Sequence, residues 1–192
     1  MATLHLAQDP DADALLSRDP LALLLGMLLD QQIPMEKAFK GPAVLRERLG
    51  RELDARVIAD RTDIQELFAR VPAIHRFPGS MGGRVQELCR YLVEHYDGDA
   101  TAVWSGEGTG AQVLQRLREL PGFGDQKARI FLALLGKQCG VRPRGWREAA
   151  GAYGDDGALR SVADVTSPET LLEVRAYKQS VKAAARAGKT AD

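Results

Sequence analysis

Cysteine is nearly absent from this 192-residue chain. There are two, Cys89 and Cys139. Two are too few for a disulfide framework or for a four-cysteine iron–sulfur cluster, and each reads as a small buried apolar residue. Net charge is missing as well. The 26 Lys and Arg against 26 Asp and Glu give a formal +0 at pH 7, which excludes a protein that coats nucleic acid by bulk charge. The longest apolar run, residues 21–29, is too short to span a membrane. No basic start leads into a long apolar stretch, so there is no secretory signal to read and a cytoplasmic location is expected. With three histidines and two cysteines, no metal constellation takes shape. Strands are not signalled either, because apolar and polar residues nowhere alternate over a long stretch.

What is present reads almost entirely as helix. Asp19 and Pro20 supply an N-cap and a first-turn proline for residues 21–30, whose leucines nearly fill the circumference. That helix is expected at the centre of the fold. Pro34 starts another, which Gly41-Pro42 should break before residues 43–49. Thr62 or Asp63 can cap a short helix through Ile64, Leu67 and Phe68. Residues 72–83 hold two prolines and three glycines. With His75 and Arg76 among them, they read as a loop that could lie against a phosphate. Ser80 can cap the helix bearing Val85, Leu88, Cys89, Leu92 and Val93 on one face. Helices are expected over 111–119 and 127–138, then a Gly/Arg-rich loop or short helix, then a helix over 170–187. In that last helix Leu171, Leu172, Val174, Tyr177, Val181 and Ala185 can pack inward, while Arg175, Lys178, Lys182, Arg186 and Lys189 share one face. The basic face is either solvated or set against DNA.

Between the helices at 111–119 and 127–138 stands Leu120-Pro121-Gly122-Phe123-Gly124, followed by Asp125-Gln126-Lys127. Two glycines one residue apart permit a tight turn and close approach of a ligand. Unpaired amides and the positive end of the next helix's dipole favour an anion there. With Lys127 close behind, a nucleic-acid phosphate is the expected anion. The spelling resembles the helix-hairpin-helix of the HhH-GPD superfamily of base-excision DNA repair glycosylases. The resemblance extends upstream to residues 20–33, an apolar helix ending in Asp30, Gln31 and Gln32, and to a middle helix near residues 83–92. It thus covers roughly residues 20–139, in the family's order. It implies an all-α fold of two helical lobes around a cleft: a single unit over 1–192, lobe one about 26–137 with the hairpin, lobe two about 1–25 plus 138–192. It also implies double-stranded DNA, damaged, as the partner of a monomer, with Gly122, Phe123, Gly124, Gln126 and Lys127 at the hairpin. Either Gln31 or Gln32 would fill the gap left by a flipped base; as a helix-end amide it could instead satisfy carbonyls. No cofactor is implied, although hairpin carbonyls could hold a monovalent cation.

A glycosylase needs a carboxylate to stabilise positive charge on the sugar or to activate water. Bifunctional members add a lysine amine two residues after the second hairpin glycine. Here that position is Gln126, which cannot form a Schiff base. Lys127 is one helical step, about 100°, further round and should point elsewhere. Strand cleavage of the usual kind is therefore not expected. The family's aspartate belongs eighteen to twenty residues on, yet residues 126–147 contain no carboxylate. Glu148 is the first beyond the gap, and Asp30, beside the glutamines, is the other candidate. Charge is unevenly spread: residues 1–30 hold five acids and one base, residues 127–192 twelve bases and seven acids. That asymmetry can build a local positive face. The expected function is a DNA-binding, base-excision-type protein, as a monofunctional glycosylase. The alternative is a damage-binding or adaptor protein on the same scaffold without catalysis.

Overall fold

The computed structural model describes residues 3–189, and side chains as far as Arg186. Residues 190–192, with Asp192 of the charge count, and the side chain of Lys189 lie outside the described set. Among the described residues ten α-helices form: α1 (Pro10–Arg18), α2 (Pro20–Leu29), α3 (Met35–Leu49), α4 (Ala55–Asp60), α5 (Ile64–Ala69), α6 (Pro78–Tyr96), α7 (Gly110–Glu119), α8 (Asp125–Gln138), α9 (Trp146–Ala150) and α10 (Pro168–Lys189). Short 3₁₀ turns cover Ala100–Val103, Gly151–Tyr153 and Val162–Asp164. No strand forms among the described residues; a lone backbone bridge joins Thr109 to Arg144. The fold is all-α. No helix among the described residues is long and apolar enough to cross a membrane.

Helix α2 is the centre, as its composition demands. Asp19 caps it by accepting from the amides of Leu21 and Ala22, Pro20 takes the first turn, and every residue from Leu21 to Leu29 is buried. Around it one apolar core runs from Leu4 to Val174. Its neighbour α3 does not break at Gly41-Pro42, contrary to the sequence pattern. An internal proline costs roughly 3 kcal/mol, and close packing on α2 outweighs it. Each helix gives the other room: a Cβ on Gly26 would sit 2.6 Å from Phe39 Cδ1, and one on Gly41 2.6 Å from Leu29 Cδ1.

One other boundary moves, and one cap lacks its bond. Helix α6 begins at Pro78, so Ser80 is within it rather than its cap; a first-turn proline is pre-set for helix. Asp63 precedes α5 without a capping bond, because its carboxylate binds Arg61 instead. The cysteines separate: Cys89 is buried, as expected, whereas Cys139 is exposed just past α8. In α10 only the first turns pack as expected. Leu171 and Val174 are buried, but Leu172, Tyr177 and Val181 are exposed.

The last third of the chain is tied to α8 by polar contacts. Lys137 pairs with the buried Asp164 at 2.6 Å, and Gln138 donates to the carbonyls of Ala163 and Val165. Arg175 of α10 pairs with Glu36 of α3. The middle of α10 then lines one cleft with the end of α2 and the start of α8.

Candidate functional site

The end of α2 and the start of α8 meet although about a hundred residues separate them. The turn at 120–124 makes this contact. Leu120 and Phe123 are buried, and the Phe123 amide donates to the Leu120 carbonyl at 3.0 Å. Gly122 has φ +81°, a left-handed conformation that favours glycine. A Cβ there would lie 2.5 Å from Leu28 Cδ1 of α2. Phe123 is a core residue: its ring centre is 6.0 Å from that of Phe131. Gly124 opens α8 without a side-chain cap and with open space around it. Asp125 is held by Arg118 and Arg129. The Leu120 carbonyl, one of those that a monovalent cation at this turn would use, accepts from the Phe123 amide and keeps a second lone pair.

Beside this junction lies a cleft of about 670 Å³. Asp30, Gln31 and Gln32 form one wall, Gln126 and Lys127 a second, and Tyr177, Lys178, Val181 and Lys182 of α10 a third. Tyr153 and Arg160 close it from the segment between. The structure therefore brings together Asp30, both glutamines, Gln126 and Lys127. It leaves Glu148 out. That residue lines a separate shallow depression with Arg147, Asp155 and Asp156. The cause is local: Trp146 and Ala150 are the buried residues of α9, so Glu148, two positions from each, faces the other way.

Lys127 ends on a different partner from Gln126, as the helical step implies, yet it stays in the cleft. Gln126 and Lys127 both line the cleft. Side chains of a helix lean toward its N-terminus, and the cleft abuts that end of α8, so neighbouring residues share it. The Lys127 ammonium donates to the Leu28 carbonyl at 2.9 Å and lies 5.9 Å from the centre of the Phe123 ring. Helix α2 has no basic residue in its own last turn. Lys127 supplies one from α8, where the dipole's negative end favours it. Desolvation nonetheless lowers its pKa to about 8, opposed by the charge of Asp30. Burial pushes the Asp30 carboxyl above its ordinary value, against the pull of Lys178 and Lys127. Gln126 donates to the Tyr153 hydroxyl at 2.9 Å.

The two glutamines stand in a constrained turn. Gln31 Nε2 donates to the Leu28 carbonyl at 3.0 Å, and Arg84 donates to Gln31 Oε1 at 3.0 Å. Gln32 is exposed and takes φ +57°. Beneath the turn sits His75, expected with Arg76 in a loop that could lie against a phosphate. It is fully buried, not set against solvent or phosphate. The Phe77 amide donates to Nδ1 at 3.1 Å. Nδ1 is thus an acceptor, so Nε2 carries the hydrogen and donates to the Gln31 carbonyl at 3.0 Å. Burial lowers the imidazole pKa and keeps that neutral form. Nothing in the pattern of a proline-flanked loop marked His75 as buried.

Comparison with protein-family models, curated proteins and solved structures found no match to this chain.

Proposed function

We propose that the chain is a DNA-binding protein of the base-excision type that releases a damaged base, with α7, the turn at 120–124 and α8 as a helix-hairpin-helix. In this reading the cleft divides two helical lobes, roughly 26–137 and 1–25 plus 138–192. The observation that carries it is the placement of Asp30 beside Gln31, Gln32 and Lys127 in one cleft with a cationic outer wall. A carboxylate is the group that glycosidic cleavage requires. The exposed amide of Gln32 next to it suits the space of an extruded base. Lys178 and Lys182, both exposed, suit phosphates at the rim. Glu148 has no place in this chemistry, because it does not face the cleft.

A second reading is favoured by one observation. Lys127 lies in the cleft with its pKa lowered to about 8, so an amine there could attack the sugar and cut the strand. Borohydride trapping separates the two, since an imine is trapped and a hydrolytic product is not.

The test pairs release with binding. On duplexes carrying single lesions, Asp30→Asn should lower base release by about 10²–10⁴-fold, the scale of a positioned acid or base, while duplex affinity holds. Lys178→Ala with Lys182→Ala should make binding less salt-dependent, by a slope of about 0.9 for each phosphate no longer neutralised. Release undiminished in Asp30→Asn removes Asp30 from the chemistry. Binding without release from any lesion leaves a damage-binding protein.

A further inference from the structure

The cleft is electrically unbalanced. Lys127, Arg160, Lys178 and Lys182 line it, against the single carboxylate of Asp30 among the described residues. Lys127 is the innermost of the four by its contacts, anchored to the Leu28 carbonyl and lying by the Phe123 ring. The aromatic groups that line the cleft are Tyr153 and Tyr177, and Tyr153 is engaged by Gln126. This is not a box of ring faces for a cation.

Given the base-releasing reading, we propose that the substrate is a base that is neutral when bound and departs as an anion, a deaminated or oxidised base with an acidic ring N–H, and that the Lys127 ammonium stabilises the departing ring. The bond between C1′ and the ring nitrogen breaks, and its electron pair goes to the ring. Water adds its oxygen to C1′ and gives a proton to the Asp30 carboxylate. The ring anion rests against Lys127, and the proton held by Asp30 completes the neutral free base. An N-alkylated purine behaves in the opposite way. Its ring is already a cation, it leaves uncharged, and it gains nothing from an ammonium. It also meets repulsion from four like charges in a site partly shielded from water.

The experiment is a release panel with the wild-type chain. One set of duplexes carries uracil, hypoxanthine, 5-hydroxyuracil or 8-oxoguanine; the other carries 7-methylguanine or 3-methyladenine. The expected result is release from at least one of the first set at about 100-fold or more over the second, the scale of one charge-stabilising contact at a reacting centre. Equal or faster release of an alkylated purine overturns the proposal. Duplex binding with no release from any duplex overturns the base-releasing reading itself, so the two failures are told apart. Lys127→Met should remove the preference between the sets, and Lys127→Arg should retain it. With the wild-type chain, release should fall as pH rises through about 8, where Lys127 loses its proton. A rise over that range, with a borohydride-trapped adduct, overturns the role given to the ammonium.

Discussion

Gly122 and Gly124 should respond differently to the same substitution. In Gly122→Ala two costs combine. The residue has φ +81°, and an L side chain in the left-handed region costs roughly 1–2 kcal/mol. The new methyl would also sit 2.5 Å from Leu28 Cδ1. Leu28 is wholly buried and has little room to rotate, and overpacking of this kind costs roughly 1–3 kcal/mol. The sum is about 2–5 kcal/mol, which at about 2–4 °C per kcal/mol for a chain of this size lowers the melting temperature by roughly 4–20 °C. Gly124 has φ −80° and open space where its Cβ would go. There alanine costs nothing structural, and its smaller unfolded-state entropy adds about 0.4–1 kcal/mol of stability.

Duplex binding then becomes readable. If a phosphate approaches the first amides of α8, a methyl at 124 stands in its way. Loss of one charge-assisted hydrogen bond, about 1.5–3 kcal/mol, weakens affinity roughly 10–100-fold in a protein that melts no lower than the parent. The assays are thermal unfolding by circular dichroism and duplex titration by fluorescence anisotropy at two salt concentrations. An unchanged melting temperature for Gly122→Ala refutes the packing argument. Undiminished binding by Gly124→Ala refutes a phosphate at this turn.

Two further outcomes concern stability. His75→Phe should cost about 1–3 kcal/mol, the scale of leaving a buried polar group without its partner, while His75→Gln, which keeps a donor toward the Gln31 carbonyl, should cost less. Because the folded-state pKa of His75 lies below its ordinary 6.5, the unfolded chain takes up the proton first on acidification. Stability from this group is therefore whole above pH 6.5 and declines below it, and urea unfolding at pH 7.5 and 5.5 should show that component in the parent and not in His75→Phe. Asp164→Ala should cost about 3–5 kcal/mol, since it strands the nearly buried ammonium of Lys137 and frees the amides of Arg160 and Ser161. Lys137→Met should cost less, because Asp164 keeps those two amides; equal urea midpoints for the two variants would contradict this ordering.

The helical plan was legible because composition and caps agreed. Asp19-Pro20 before nine apolar residues admits one reading, and α2 is buried along that whole run. Boundaries were lost where packing outweighed local preference. Gly41-Pro42 looks like a break until Leu29 and Ile74 are seen to need the close approach that Gly41 provides. Tyr177 and Val181 have the spacing of a buried stripe, yet they line an open cleft. Spacing reports that two residues share a face of a helix, and says nothing of what covers that face.

The candidate site was legible in its parts and not in its assembly. Asp30 and Lys127 both stand out in the sequence, one as a helix-end carboxylate and one as a lysine turned away. Both readings take each residue relative to its own helix. The relation that matters is between helices. The end of α2 offers carbonyls without a cation in its own last turn, and the start of α8 offers a lysine with no acid partner but Asp125, which two arginines already hold. Each terminus is electrostatically incomplete alone. Their meeting at Leu28 and Lys127 completes both and sets Asp30 beside the ammonium. The place of Glu148 outside this cleft could have been read from sequence. Trp146 and Ala150, four apart, fix the inward face of a one-turn helix, and position 148 falls on its outward side. Distance along the chain from the place where the resemblance expects an aspartate was a weaker guide to its orientation than the apolar pair on either side of it.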